Sequence, residues 1–344
     1  MQLALLLRGI SILIIAYLIK VEGSVALIML SHMIGVFFGS FFRPAANSWV
    51  ADSAAPNERV RAYGLLRIGI NLGWALGPAL GGFMAQSSYA VMFFYTFLSN
   101  IACVFIIGIF VDNTIVNFSV NREKLNFKSI KQVLKHEKFM RFCIAIFTMA
   151  IVMSQLIVSS SLYCVKYLNF TEADVGILFS LNGLIVVGLQ YFVSKYLEKI
   201  KITSGLAIGA FLSAVGYFVF GFSFTFSIAI IAVIIFTFGE LAVSPGIHAI
   251  TANLADEKHK GRFMGVEGLF YQLGYSFGIL LGTNSIEILS PHYQQAPWVI
   301  VAFISLIAGY LFYRLGFQLM ATENGLKEKK LIYKSEEPYR VSSS

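Results

Sequence analysis

Apolar runs of roughly 20 residues follow one another along the whole chain, separated by shorter polar stretches. A helix rises about 1.5 Å per residue, so a run of about 20 crosses the hydrocarbon core of a bilayer. The pattern predicts ten spans: 2–19, 24–50, 62–85, 90–111, 139–165, 173–194, 203–221, 225–252, 262–285 and 297–318. The runs are continuously apolar and do not alternate, which selects helices over the strands of a membrane barrel. The expectation is an all-α integral membrane protein.

Composition strengthens this reading. The chain has 344 residues, 57% of them hydrophobic and 13% charged, with a mean hydropathy of +0.75. A soluble domain carries about 25% charged residues. The net charge of +8 does not point to nucleic acid, because the excess sits in alternate loops. Arg59 and Arg61 flank one of them, and Arg122, Lys124, Lys128, Lys131, Lys135, Lys138 and Arg141 crowd the longest. Lys195, Lys199 and Lys201 follow, then Lys258, Lys260 and Arg262, while the intervening loops carry only Lys20 and Lys166. The positive-inside rule then places both termini in the cytoplasm, in agreement with an even number of spans, and the expected location is the cytoplasmic (inner) membrane. Residues 1–20 lack a basic n-region and an A-x-A site, and Arg8 interrupts their apolar run, so they read as a span and not a cleaved leader. Cys103, Cys143 and Cys164 have no metal or redox spacing and are expected simply to pack.

The polar, basic segment 112–138 divides the chain into four spans and six. Shifting the sequence by 201 residues lays 44–81 on 245–282 without a gap. Pro44 falls on Pro245, Arg61 on Arg262, Gly64 on Gly265, Gly73 on Gly274, Gly77 on Gly278 and Gly81 on Gly282. The organisation predicted is an incomplete N-terminal helical half over 1–111, a linker over 112–138, a six-helix C-terminal half over 139–318 and a disordered basic tail over 319–344. The second half carries two spans, 139–165 and 173–194, that the first half does not.

The stretch NLGWALGPALGG at 71–82 holds glycines at a four-residue interval, Gly73, Gly77 and Gly81, continuing a series from Gly69. Such a stripe lets another backbone approach closely. Pro78 removes one backbone hydrogen bond and is expected to kink the helix. The result expected is a tight, bent seam, whose stripe Gly274, Gly278 and Gly282 rebuild in the second half.

Two repeat-related halves joined by a basic loop resemble the major facilitator superfamily. GWALGPALGG at 73–82 is similar to the superfamily's antiporter motif, placing Gly73, Gly77, Pro78, Gly81 and Gly82 at motif positions. FRPAANSWVAD at 42–52, with ERVRAYGLLR at 58–67, resembles a helix connection of the drug:proton antiporter branch. FGELAVSP at 238–245, with HKGRFMG at 259–265, resembles its counterpart in the second half. The resemblance covers nearly all of 1–318 and implies a major facilitator fold in which the first two of twelve helices have no equivalent. The basic, aspartate-containing loop between the family's second and third helices would lie before Met1. Its counterpart, SKYLEKIKI at 194–202, keeps the lysines without the glycine or aspartate. Asp52 stands where the family's helix-ending aspartate pairs with an arginine of that loop.

Ionisable groups within spans mark functional positions, because hydrocarbon is a costly place for charge. Glu240 lies about 15 residues from one end of its span and 12 from the other, near the midplane, and is the candidate proton carrier. Arg8, His32, Gln155 and Asn182 are candidates for a substrate cavity. Arg8 would attract anionic groups there or snorkel, and Gln155 follows from the cavity-lining role that the resemblance gives its helix. His248 lies nearer the inner end, and Arg43 reads as an anchor. Asp52, Arg61, Arg67, Arg262 and Glu267 read as gating contacts on the cytoplasmic side, with an Arg67–Glu267 pair between the halves as one arrangement and snorkelling as the other. No G-x-x-x-x-G-K-[ST], G-x-S-x-G or H-E-x-x-H motif occurs, so neither enzymatic activity nor a cofactor is expected. The function expected is proton-coupled export of a small lipophilic or amphipathic compound by alternating access. Partners would be that compound, protons and the bilayer, without nucleic acid, and the resemblance implies a monomer. Metabolite uptake or facilitated diffusion, and a truncated, non-transporting membrane protein, are the alternatives.

Overall fold

The computed structural model describes residues 1–85, 88–111, 133–255 and 260–326. Among the described residues the chain is helical, with no β-strand. The first half comprises α1 (Gln2–Lys20), α2 (Val25–Ser40), α3 (Phe42–Ser53), α4 (Arg59–Ala85) and α5 (Tyr89–Phe110). The second comprises α6 (Glu137–Met153), a 3-10 turn (Ser154–Leu156), α7 (Val158–Tyr167), α8 (Glu172–Leu197), α9 (Ile202–Gly221), α10 (Phe226–Leu254), α11 (Lys260–Leu289) and α12 (Ala296–Leu315).

Local chemistry accounts for the boundaries. Ser88 caps α5 and Thr225 caps α10, each accepting a backbone N–H, while Thr171 and Asp174 form a reciprocal capping box on α8. Two predicted spans are broken. Pro44 cannot donate to the carbonyl four residues back at Ser40, where the chain passes from α2 to α3. Its repeat partner Pro245 lies inside the continuous α10. Residues 139–165 divide at the 3-10 turn, where Ser154 Oγ donates to Ile151 O and Ser160 Oγ to Gln155 O, competing with the helical ladder.

Among the described residues, eight stretches are long and apolar enough to cross a membrane by themselves. The two glycine-bearing helices α4 and α11 complete the ten predicted spans, with 27 and 30 residues but a more polar composition. The repeat is visible in the packing: α1 packs on α2 and α5, as α9 packs on α10 and α12. The buried hydrophobic cluster belongs mostly to the second half, where Tyr217 stacks on Phe236 at 5.0 Å and on Trp298 at 5.9 Å. The α9–α10 contact needs bare backbone, since a Cβ at Gly216 would stand 2.6 Å from the Phe236 backbone nitrogen. Helices α2 and α5 bury little against protein, as apolar side chains facing lipid can.

The expected tail differs over its first residues. Asn324 is buried, and its Oδ1 accepts from Thr203 N and Oγ1, both at 3.0 Å. Glu323 pairs with Lys138 at 2.9 Å. Residues 319–326 are therefore tied to the second half; 327–344, like most of the linker (112–132), lie outside the described residues.

Candidate functional site

The halves meet through α4 against α8 and α10, and through α3 against α11. At the end carrying the basic loops the contacts are polar. Lys260 donates to Asp52 Oδ1 at 2.6 Å, and Arg59 donates to Asn253 Oδ1 at 2.6 Å. The repeat relates Asp52 to Asn253 and Arg59 to Lys260, so the 201-residue shift exchanges these two contacts. The partner of Asp52 is thus Lys260, on the opposite half. Arg61 reaches Glu198 at 3.5 Å, also between halves. Arg262 lies on α11 beside this cluster in sequence.

Deeper in, Arg67 on α4 meets Glu240 on α10 at 2.7 Å and also donates to the Glu240 carbonyl. Glu240 is held from the other side by Asn182 of α8, whose Nδ2 lies 2.9 Å from Glu240 Oε2 and 2.9 Å from Thr237 Oγ1. The Arg67 side chain is 9% exposed and that of Glu240 20%. The partner of Arg67 is therefore Glu240 and not Glu267. Glu267 is buried and lies 3.1 Å from His248 Nδ1, with the ring of Tyr63 5.3 Å from the imidazole.

Both carboxylates line one cavity of about 460 Å³, walled by α2, α3, α6, α10 and α11. That volume suits a small organic molecule. Its lining is mixed: Met153, Val243, Ile247 and Met264 are apolar, while Arg43, His248, Tyr271 and Gln272 are not. Glu240 lies about half-way along α10, whose 29 residues extend 14 to either side of it.

Of the residues expected at a cavity, Asn182 joins this cluster through Glu240. Gln155 goes elsewhere: it is buried, and its Nε2 donates to Ile151 O at 2.7 Å and to Gly278 O at 2.8 Å, tying α11 to the helix break. Arg8 lies against Gly39, a residue of the cavity wall, and His32 is exposed on α2. The glycine seam forms in the second half. There a Cβ at Gly274 would stand 3.0 Å from Ala150 Cβ, and one at Gly278 would stand 2.6 Å from Ile151 O. In the first half, no described residue comes within 4 Å of the equivalent point at Gly69, Gly73 or Gly77, and among the described residues Gly81 meets only Met92 Sδ, at 3.9 Å. The surroundings of Pro78 and Gly82 lie outside the described residues.

Sequence reasoning missed Arg43 and Tyr271 at the cavity. A signal was present for Arg43, since its repeat partner is Ser244, one helical turn beyond Glu240 and also in the lining.

The sequence model of the Major Facilitator Superfamily matches residues 1–279 and 205–335. "Multidrug resistance protein 2" of Bacillus subtilis is 26% identical over 294 residues, covering 82% of this chain and 71% of that protein. "Quinolone resistance protein NorA" of Staphylococcus aureus is 22% identical over 267 residues, covering 77% of this chain and 68% of that protein. Among solved structures, the human organic anion transporter MFSD10 is similar with a TM-score of 0.74 at 18% identity, covering 90% of this chain and 76% of that one. The proton:xylose symporter XylE is similar with a TM-score of 0.65 at 12% identity, covering 94% and 82%.

Proposed function

Because the chain belongs to the Major Facilitator Superfamily, we propose that it is a secondary transporter that exports a small lipophilic or amphipathic compound in exchange for protons. The relatives named for multidrug and quinolone resistance support the efflux direction. The observation that carries the coupling is the Arg67–Glu240 pair, contributed by opposite halves at the wall of the cavity.

In this reading the ionised Glu240 clasps α10 to α4. Taking one partner from a buried pair costs about 3–5 kcal/mol, because the other charge is left uncompensated. A proton taken up on the Glu240 carboxyl removes the attraction and leaves Arg67 without its counterion. The arrangement in which the halves meet at the basic-loop end then loses its deepest link, and the halves rock so that the cavity opens there. Loss of the proton restores the pair. Asn182 holds the carboxyl in position throughout, since its amide donates to either form. Asp52–Lys260 and Arg59–Asn253 are the outer latch of the same seal.

The test is flux of lipophilic fluorescent dyes, including cationic, neutral and anionic ones, in proteoliposomes under an imposed pH gradient. The natural chain drives dye against its concentration gradient, and Glu240→Gln abolishes that drive while still equilibrating dye. Undiminished uphill flux in Glu240→Gln removes Glu240 from the coupling, and no gradient-driven flux in the natural chain removes the antiport.

A further inference from the structure

The charges around the cavity are not equivalent. Glu240 is matched by Arg67 at 2.7 Å and by Asn182 at 2.9 Å. Glu267 is hydrogen-bonded to His248 at 3.1 Å. Arg43 lines the same cavity, is exposed, and makes no ion pair or hydrogen bond with any described residue. It is ten residues short of Ser53 at the end of α3, about 15 Å along the helix. Tyr271 and Gln272 also line the cavity, neither side chain makes a hydrogen bond to any described residue, and Arg43 is close enough to act electrostatically on Tyr271. A second cation, Arg8, lies with its Cδ 3.0 Å from where a Cβ on Gly39 would be, against the same wall.

A guanidinium is permanently charged and presents a planar fork of donors that fits a carboxylate, sulfonate or phosphate. A cationic ligand entering this cavity would approach an uncompensated positive charge and find both carboxylates already engaged. An anion would find an open guanidinium, a hydroxyl and an amide, with methionine and aliphatic side chains for its apolar body.

We infer that the cavity binds amphipathic anions, with the acidic group of the ligand on Arg43 and hydrogen-bonded by Tyr271 and Gln272. This deepens the proposed function, on which it rests for the role of the cavity, by naming the charge class of the compound carried. Arg8 adds to the positive potential from the neighbouring helix. The apolar body lies along Met153, Val243 and Met264.

The experiment uses the full chain in lipid nanodiscs, with the signal of empty discs subtracted. Two dyes share one aromatic skeleton: anilinonaphthalene sulfonate, which is anionic, and phenylnaphthylamine, which is neutral. The sulfonate binds saturably, and tetraphenylborate displaces it at least tenfold better than the isosteric cation tetraphenylphosphonium. Arg43→Gln weakens sulfonate binding about tenfold or more and leaves phenylnaphthylamine within twofold. Arg43→Lys, which keeps the charge, retains most of the affinity, and Tyr271→Phe loses a few-fold. Equal sulfonate binding by the natural chain and Arg43→Gln overturns the inference, as does equal displacement by the two tetraphenyl ions. Sulfonate binding as stated without pH-driven flux counts against the transport reading alone. Flux of anionic dyes that is indifferent to Arg43→Gln counts against the anion site alone.

Discussion

Gly77 and Gly278 occupy the same place in the repeat, yet alanine should act oppositely at the two. At Gly278 the added methyl would stand 2.6 Å from Ile151 O and 2.7 Å from Ile151 Cα, both backbone atoms that no rotamer change can move. At Gly77 it would meet no described residue within 4 Å. Alanine is preferred to glycine in a helix interior by about 1 kcal/mol, so Gly77→Ala should be neutral or stabilising by up to that amount. At Gly278 the same gain opposes an overpacking cost of about 1–3 kcal/mol, at the upper end because helix α6 itself must shift. The two variants should therefore differ by about 2–3 kcal/mol. Thermal unfolding in nanodiscs, followed by a thiol-reactive dye, reads this directly. Cys143 and Cys164 are buried and become reactive on unfolding, while the exposed Cys103 is replaced by serine to lower the background. Gly278→Ala should melt several degrees below the Cys103→Ser parent, and Gly77→Ala at or above it. Equal destabilisation at both sites, or none at Gly278, would refute the view that only the second-half stripe is a packed seam.

Further outcomes follow from the same geometry. Arg67→Ala should cost about 3–5 kcal/mol by stranding Glu240, and adding Glu240→Gln should recover much of that loss, with a coupling above about 1 kcal/mol in a double-mutant cycle of melting curves. Cysteines at positions 52 and 260, joined by a short reducible cross-linker, should arrest dye flux, and a reductant should restore it; flux that persists while cross-linked would deny the latch. Asn324→Ala should lower stability by about 1–3 kcal/mol through the loss of buried bonds to Thr203, seen as a lower melting temperature; an unchanged melt would mean that residues 319–326 contribute nothing to the fold.

The spans were legible because bilayer thickness imposes a run length that no other structure requires. The repeat was legible because loop charges and glycine spacing coincided at one shift. Side-chain direction was not. Gln155 carried the right chemistry for a cavity, but the helix break at Ser154–Leu156 places it against Gly278. Matching residues by depth paired Arg67 with Glu267, whereas the helices cross so that α4 meets the middle of α10, where Glu240 lies. The latch could have been read by asking which contacts remain contacts after the 201-residue shift. Asp52 with Lys260 and Asn253 with Arg59 satisfy that test. The glycine stripes coincide at three positions in sequence and differ in the fold, because α6 covers Gly274 and Gly278 and no described residue covers Gly73 or Gly77.

The central claim is that the proton state of Glu240 decides whether the halves stay together at the basic-loop end. Spin labels on cysteines at the exposed positions Ala55 and Lys199, in a Cys103→Ser background, report that separation by pulsed electron resonance as pH is varied. The natural chain should show the short distance at high pH and a growing long-distance population as pH falls, and Glu240→Gln should show the long population at every pH. The same pH response in Glu240→Gln as in the natural chain would contradict the account.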